Sequence, residues 1–287
     1  MKTVELDAIR GLIKLPGSSL HIGDFEEHIQ MPAVRESLNT WYEQDRLAAF
    51  AYVDEFANLW FEVAPGCLTR KLETEIIQWG VQIQQQRNRA SGEQSSLDAN
   101  CEVHNTERIA ILIRNGFVQQ SVRSLLYELP VKSPVTQAPF PAGFTWRHVT
   151  AADPVEDLVD LHRLAFGTEN MSVDYRMAMM HAPQYEIDLD LLAVAPDGSL
   201  AGFCICSRDE EDTSLGNTDP IGILPQYQGK GLAKALATVG INLLAMRGVT
   251  RVQTGTSSDN LGMQALADSL GFKCISEKLW FSKKLDE

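Results

Sequence analysis

The sequence lacks several things, and each absence excludes something. It has no apolar run of about 18 residues, so a membrane-spanning helix is not expected. It has no basic excess: Lys and Arg number 25 against 38 Asp and Glu, a formal net charge of −13. Sequence-independent nucleic-acid binding needs a cationic surface, so nucleic acid is not an expected partner. The segment from Met1 to Asp7 turns acidic early and has no apolar stretch, unlike a secretory leader. Cysteine is scarce: Cys67, Cys101, Cys204, Cys206 and Cys274 are odd in number and form no paired spacing. They predict reduced thiols in a cytoplasmic protein, with neither a disulfide framework nor a metal site.

What remains is an ordinary globular composition. With 287 residues, 44% of them hydrophobic and 22% charged, the chain has the length of about two domains. Four of the twelve prolines (Pro130, Pro134, Pro139 and Pro141) fall in one stretch. Proline fixes φ and cannot donate to a ladder, so 131–143 is expected to be an extended surface linker. The parts on either side carry net charges of −5 and −8, so neither is a basic arm or an acidic tail.

The second part has the clearer pattern. Strands are predicted at Trp146–Val149, Pro220–Leu224, Arg251–Thr256 and Cys274–Lys283, with a hairpin turning at Asp197-Gly198. Helices are predicted at Asp153–Phe166, with Asp153 as cap, and at Ser172–His181, Gly231–Met246 and Met263–Leu270. The order is that of a mixed α+β domain. Part of it recurs upstream. The block Asn105 to Gly116-Phe117 has the frame of Asn260 to Gly271-Phe272, 155 residues apart, and Phe61 to Pro65 resembles Ile221 to Pro225, 160 apart. Both copies keep the same order, which indicates a tandem duplication.

The most informative segment runs from Ile221 to Lys234: apolar strand, turn, Gly229 and Gly231, then a helix whose Leu232, Leu236, Val239 and Leu243 form one stripe. A helix N-terminus carries unpaired N–H groups, and glycine admits close approach of an anion, so the segment is expected to bind phosphate. The spacing is neither that of a P-loop nor that of a dinucleotide fingerprint.

The run Gln228-Gly229-Lys230-Gly231-Leu232-Ala233 resembles the Q/R-x-x-G-x-G/A signature of the GCN5-related N-acetyltransferase (GNAT) superfamily, as do the preceding strand with Pro225 and the later Asn260 block. The resemblance is good over 144–287 and weak over roughly 40–130, similar to tandem chains with one worn copy such as the mycothiol synthases. It implies an α+β fold of two tandem GNAT-like domains, each a mixed, mostly antiparallel sheet flanked by helices. The expected division is a degenerate domain at 1–130 without a CoA loop, a linker at 131–143 and a catalytic domain at 144–287. Acetyl-CoA would be the cosubstrate, without metal, and the partner a small-molecule or peptide amine that attacks the thioester directly. The chain would act as a monomer or homodimer.

In that family the cosubstrate lies between two splayed strands. Pro220 removes a ladder donor and Gly222 weakens the strand, so local failure of pairing is expected here. By resemblance, the backbone of Ile221 and Ile223 would bind the pantetheine arm, and the Ile221 N–H would polarise the thioester carbonyl. N–H groups from Gly229 through Lys230, Gly231, Leu232 and Ala233 to Lys234 would hold the pyrophosphate. Asn260 would touch the cosubstrate or simply cap its helix. Asp219 stands where relatives often carry a Glu base; its other reading is turn chemistry in Asn217-Thr218-Asp219-Pro220.

The sequence also departs from the family. The usual Tyr proton donor is replaced by Ala267, and by Leu112 in the first copy. This keeps open a second reading, a CoA-binding or interaction protein without catalysis, beside a third, a binder of another phosphate ligand. Gly66-Cys67 replaces the glycine loop in the first copy, four residues shorter, with Leu68 and Leu72 resuming the helical stripe. The acidic run Asp209 to Asp212 either attracts a cationic substrate or is a solvated loop. Tyr175, Met177, Met179 and Met180 line a cleft or fill the core.

Overall fold

The computed structural model describes residues 3–15, 18–209 and 211–285. Met1 and Lys2 of the N-terminal segment, and Glu210 of the acidic run, lie outside them. The chain divides into two compact units: residues 1–123 with 277–287 (unit 1), and residues 124–276 (unit 2).

The first half contributes α1 (Thr3–Ile13), α2 (Ile22–His28), α3 (Pro32–Ser37), β1 (Asn39–Glu43), β2 (Arg46–Val53), β3 (Leu59–Val63), α4 (Arg70–Ser91), β4 (Leu97–Glu102), α5 (Thr106–Arg114) and β5 (Val118–Pro130). The second half contributes β6 (Thr145–His148), α6 (Val155–Phe166), α7 (Val173–His181), β7 (Asp190–Val194), β8 (Leu200–Arg208), β9 (Leu215–Ile223), α8 (Leu232–Met246), β10 (Arg251–Ser257), α9 (Leu261–Leu270) and β11 (Lys273–Lys283). From β1 and again from β7 the order is three strands, helix, strand, helix, strand. The matched asparagines do the same work in both copies. Asn105 accepts the Arg108 N–H at 2.9 Å and starts α5, and Asn260 accepts the Met263 N–H at 3.0 Å and starts α9. The fold class is α+β, with mostly antiparallel sheet flanked by helices, in tandem.

The division between the units differs from the expected 1–130 and 144–287. Residues 278–283 of β11 pair antiparallel with β4, and Leu279 and Phe281 enter the unit 1 core beside Leu97, Ala99, Ile111 and Leu112. Residues 124–130 of β5 pair antiparallel with β10 in unit 2, where the strand order is β5-β10-β9-β8-β7-β6. Each copy's closing strand therefore completes the sheet of the other unit. Both strands have the same apolar pattern, and periodicity names a strand without naming its partner.

Other expectations are corrected. Residues 131–143 are extended but docked. Asn242 on α8 holds the backbone of Val135 on both sides (2.8 and 3.1 Å), and Thr238 accepts from Gln137 and from the Ala138 N–H. Pro154, not Asp153, caps α6. The Asp153 carboxylate instead pairs with Arg147 at 2.6 Å and accepts the Thr150 N–H; hydrogen bonding from Arg147 holds it far below the usual carboxylate range.

The sheet of unit 2 has two covered faces. Leu232, Leu236, Val239 and Leu244 of α8 pack with Leu125, Tyr127, Leu129, Val252, Cys204 and Cys206. On the opposite face, Leu158, Val159 and Leu161 of α6 pack with Leu192, Phe203 and Ile205.

Candidate functional site

The strand carrying the candidate residues begins earlier than expected, at Leu215. Asn217 to Pro220 is therefore strand, not turn. Opposite β8, the register passes from Cys204↔Ile221 to Cys206↔Thr218, so Asp219 and Pro220 together face Ile205 alone. This is a bulge, which bends its strand and interrupts the ladder. On the other side, β9 pairs in parallel with β10 only at Leu215↔Arg251, Gly216↔Val252 and Asn217↔Gln253. Beyond that rung the two strands part and form a fork.

The ladder phase turns the right groups into it. The Leu224 N–H donates to the Ala201 carbonyl at 3.0 Å. Antiparallel residues alternate in the side to which they bond, so Gly222 also faces β8, and Ile221 and Ile223 present their backbone to the fork. The Ile223 carbonyl accepts the Gln228 side-chain amide at 3.0 Å, which ties the loop to the strand. Gly222 is required by close approach: a Cβ there would lie 2.7 Å from Phe203 Cζ and 3.0 Å from Ala165 Cβ.

At the vertex, Asp219 Oδ2 accepts the Gly255 N–H of β10 at 3.1 Å, and the Thr254 hydroxyl donates to the Thr218 carbonyl at 3.2 Å. The Asp219 carboxylate is exposed and sits where the strands diverge. At the open end, Pro225–Tyr227 forms a short 3-10 turn. Gly231 is the N-cap of α8 at φ +85°, a left-handed value that glycine adopts freely, and it offers no side-chain cap. The first-turn N–H groups of Leu232, Ala233 and Lys234 therefore have no intrahelical carbonyl and carry the positive end of the helix dipole. Lys230 Nζ lies 5.3 Å over the Tyr227 ring, and Lys234 Nζ donates to the Ser269 carbonyl at 3.0 Å.

The candidate residues thus gather along one path: Asp219 at the vertex, Ile221, Gly222 and Ile223 along one arm, and Gln228 to Lys234 at the open end. Asn260 spends its side-chain oxygen on the α9 cap. Ala267 is 1% exposed, inside the core beneath α8. In the described part of the acidic run, Asp209 Oδ1 accepts the N–H groups of Glu211 and Asp212, and Asp212 pairs with Arg251 at 2.5 Å. Met179 is core, with Tyr175 packed against it.

Sequence reading missed Arg108. In unit 1 the ladder has the same phase: the Ala64 N–H donates to Ala48, so Phe61 faces away from β2. Strands β3 and β4 are joined in parallel only by the bridge Asn58↔Asp98. In the gap stands the buried Arg108 guanidinium. It donates to the Phe61 carbonyl, lies 3.5 Å from the centroid of the Phe61 ring and pairs with Glu62 at 3.3 Å. Phe61 corresponds to Ile221 in the repeat, so the backbone acceptor of this fork is already bonded. The connection to α4 spans 64–69 against 224–231 in unit 2, because Leu68 and Thr69 stay outside the helix; the shortening is two residues, not four. Thr69 Oγ1 accepts the Leu72 N–H at 3.1 Å, so α4 begins with a side-chain cap where α8 has none.

His162 lies on α6. It stacks on Phe203 at 5.3 Å and touches Phe166 at 4.8 Å. Burial first, then the nearby Arg176 charge, holds its pKa down at about 4.

Residues 155–272 match the acetyltransferase (GNAT) family. A mycothiol acetyltransferase of Salinispora arenicola is 32% identical over 150 residues, 50% of this chain and 49% of that protein. One of Streptomyces coelicolor is 32% identical over 110 residues, 33% of this chain and 36% of that protein. These matches span half or less of the curated relatives' length. Among solved structures, a tandem GNAT protein from the clavulanic acid biosynthesis pathway superposes with a TM-score of 0.75 at 15% identity, over 100% of this chain and 97% of that one. A GCN5-related N-acetyltransferase from Sphaerobacter thermophilus gives 0.70 at 20% identity, over 85% of this chain and 78% of that one. Residues 155–272 thus match the GNAT family, and the chain as a whole has the fold of a tandem GNAT protein.

Proposed function

We propose that the chain is an acetyl-CoA-dependent N-acetyltransferase whose cosubstrate binds in the unit 2 fork and whose unit 1 binds none. The observation that carries this is the continuity of the β9/β10 fork with the uncapped start of α8. Backbone groups line the arm and end at a ready-made anion site.

The N–H groups from Gly229 to Lys234 hold the pyrophosphate, and the backbone of Ile221 and Ile223 holds the pantetheine arm. When bound, acetyl-CoA supplies an activated thioester carbonyl. The Ile221 N–H donates to that carbonyl oxygen, a fixed donor of a kind worth roughly 3–4 kcal/mol in acyl transfer. Asp219 takes the proton of the attacking ammonium, directly or through water; a lysine-like amine has a pKa near ~10.4 and must lose it. The position of the usual Tyr acid is Ala267 here. A thiol of pKa about 8.5 leaves readily as the thiolate. Relatives named mycothiol acetyltransferase make a small-molecule acceptor the first class to test, with peptides second. The cysteine usage favours a cytoplasmic setting.

Buried Ala267 favours the second reading, a protein that binds CoA without turning it over. Two measurements decide between the readings. Acetyl-CoA is expected to raise the melting temperature where nucleotides without pantetheine do not. Free-thiol release over an amine panel is expected to exceed the amine-free rate; release at the amine-free rate with every amine selects the non-catalytic reading.

A further inference from the structure

The α6 face of the unit 2 sheet is apolar at Leu192, Phe203 and Ile205 and turns polar at the fork vertex. One rung crosses four strands there. Ser207 pairs with Asn217, Asn217 with Gln253, and Gln253 with Glu128. Paired residues share a face, so all four side chains lie on the face of Ile205, opposite α8. All four are half-buried, and the Glu128 side chain is 17% exposed. Its Oε2 accepts from Arg251 Nη1 at 3.1 Å and from Gln253 Nε2 at 3.0 Å, which fixes the carboxylate in place. Among the described residues, Oε1 has no hydrogen-bond partner.

This rung lies where the far end of the cosubstrate must emerge. The phosphate site is the start of α8, which covers the opposite face of the sheet. A molecule held there and threaded between the arms of the fork ends at the vertex, beside Asp219 and the Asn217↔Gln253 rung. Glu128 is two strands across from β9. Strands lie about 4.8 Å apart, so a group bound by Glu128 is on the order of 5–10 Å from an amine at the vertex.

We infer that Glu128, with Gln253 and Asn217 beside it, is the specificity-determining residue for the acceptor. It selects a polar amine that carries a second hydrogen-bond donor, an ammonium or hydroxyl, on the order of 5–10 Å from the reacting nitrogen. This rests on the acetyltransferase reading. An oriented carboxylate favours such a donor by a charge-assisted hydrogen bond, and a plain alkyl chain gains nothing from it.

The test uses the full chain and three amines of one length: hexylamine, 6-amino-1-hexanol and 1,6-diaminohexane. The wild type is expected to have lower KM for the two bifunctional amines. Glu128→Gln is expected to raise their KM about tenfold, with KM for hexylamine and for acetyl-CoA changed less than about twofold. Asn217→Ala leaves the Arg251–Glu128 contact intact and is expected to move KM the same way by a smaller factor; it serves if Glu128→Gln lowers the melting temperature. Equal KM for the three amines in the wild type, or a KM for the bifunctional amines unmoved by both variants, overturns the assignment. Should the wild type release no thiol with any amine, the acetyltransferase reading fails separately, and calorimetric binding of 1,6-diaminohexane to the CoA-saturated protein decides. Weaker binding by Glu128→Gln supports the Glu128 site; equal binding, or none to the wild type, overturns it.

Discussion

Single residues decide which of the two forks is open. In unit 2 the Ile221 backbone faces a gap, whereas in unit 1 the matching Phe61 carbonyl is taken by Arg108. Nothing in the sequence marked Arg108, because its partner is a backbone carbonyl 47 residues away and backbone carbonyls have no letter. Asp219 was legible as a site candidate from its place before Pro220. Its contact with Gly255 was not, since it depends on the bulge that turns the side chain toward β10. Asp219→Asn is expected to lower kcat/KM for amines about 100-fold and to flatten its rise with pH; a pH–rate profile superimposable on the wild type removes Asp219 from the mechanism. Asn260→Ala is expected to cost about 1 kcal/mol of stability by urea unfolding, as a lost cap does. Acetyl-CoA affinity unchanged beside that loss assigns Asn260 to capping alone, and a matching drop in affinity gives it a place on the cosubstrate.

At the scale of elements, hydrophobic periodicity located the strands and helices of the second half well. It placed α8 correctly because Leu232, Leu236, Val239 and Leu243 lie on one stripe and the glycines mark its start. It left Asn217–Asp219 outside the strand, with a turn as the other reading of Asp219, because turn formers and bulge formers are the same residues. It left 131–143 as a bare linker because the bonds that dock it come from Thr238 and Asn242 on the back of α8. Packing of α6 on β8 has a consequence for acid stability. His162 has its folded-state pKa at about 4, below the usual 6.5 of an exposed imidazole. Its neutral form is the one the fold accommodates, so its contribution is whole above pH 6.5. As pH falls from 6.5 to about 4 the unfolded chain takes up the proton first, and stability is lost. The ring is partly exposed, so the loss is on the order of 1 kcal/mol. His162→Phe is expected to shrink the fall in melting temperature between pH 7 and 5. An unchanged fall in the variant excludes His162 as its source.

At the scale of the whole molecule, the repeat made the tandem architecture and fold class legible, and the superposition on a tandem GNAT protein agrees in fold. The exchange of closing strands was not legible, since β5 and β11 carry interchangeable patterns. It has its own test. Phe281 is fully buried in the unit 1 core, so Phe281→Ala is expected to cost about 3–5 kcal/mol. Hydrogen exchange is then expected to accelerate in β4 and to stay slow in β10; the reverse pattern contradicts the exchange. The net charge of −13 is consistent with an anionic ligand held by backbone N–H groups at one helix start rather than by a cationic surface. The most direct test of one open fork and one closed is calorimetric titration of acetyl-CoA into the full chain. The expected result is one site per chain in the wild type and affinity at least about tenfold weaker in Gly231→Val, where φ +85° suits no branched side chain. Two sites per chain, or one site that survives Gly231→Val unchanged, would contradict it.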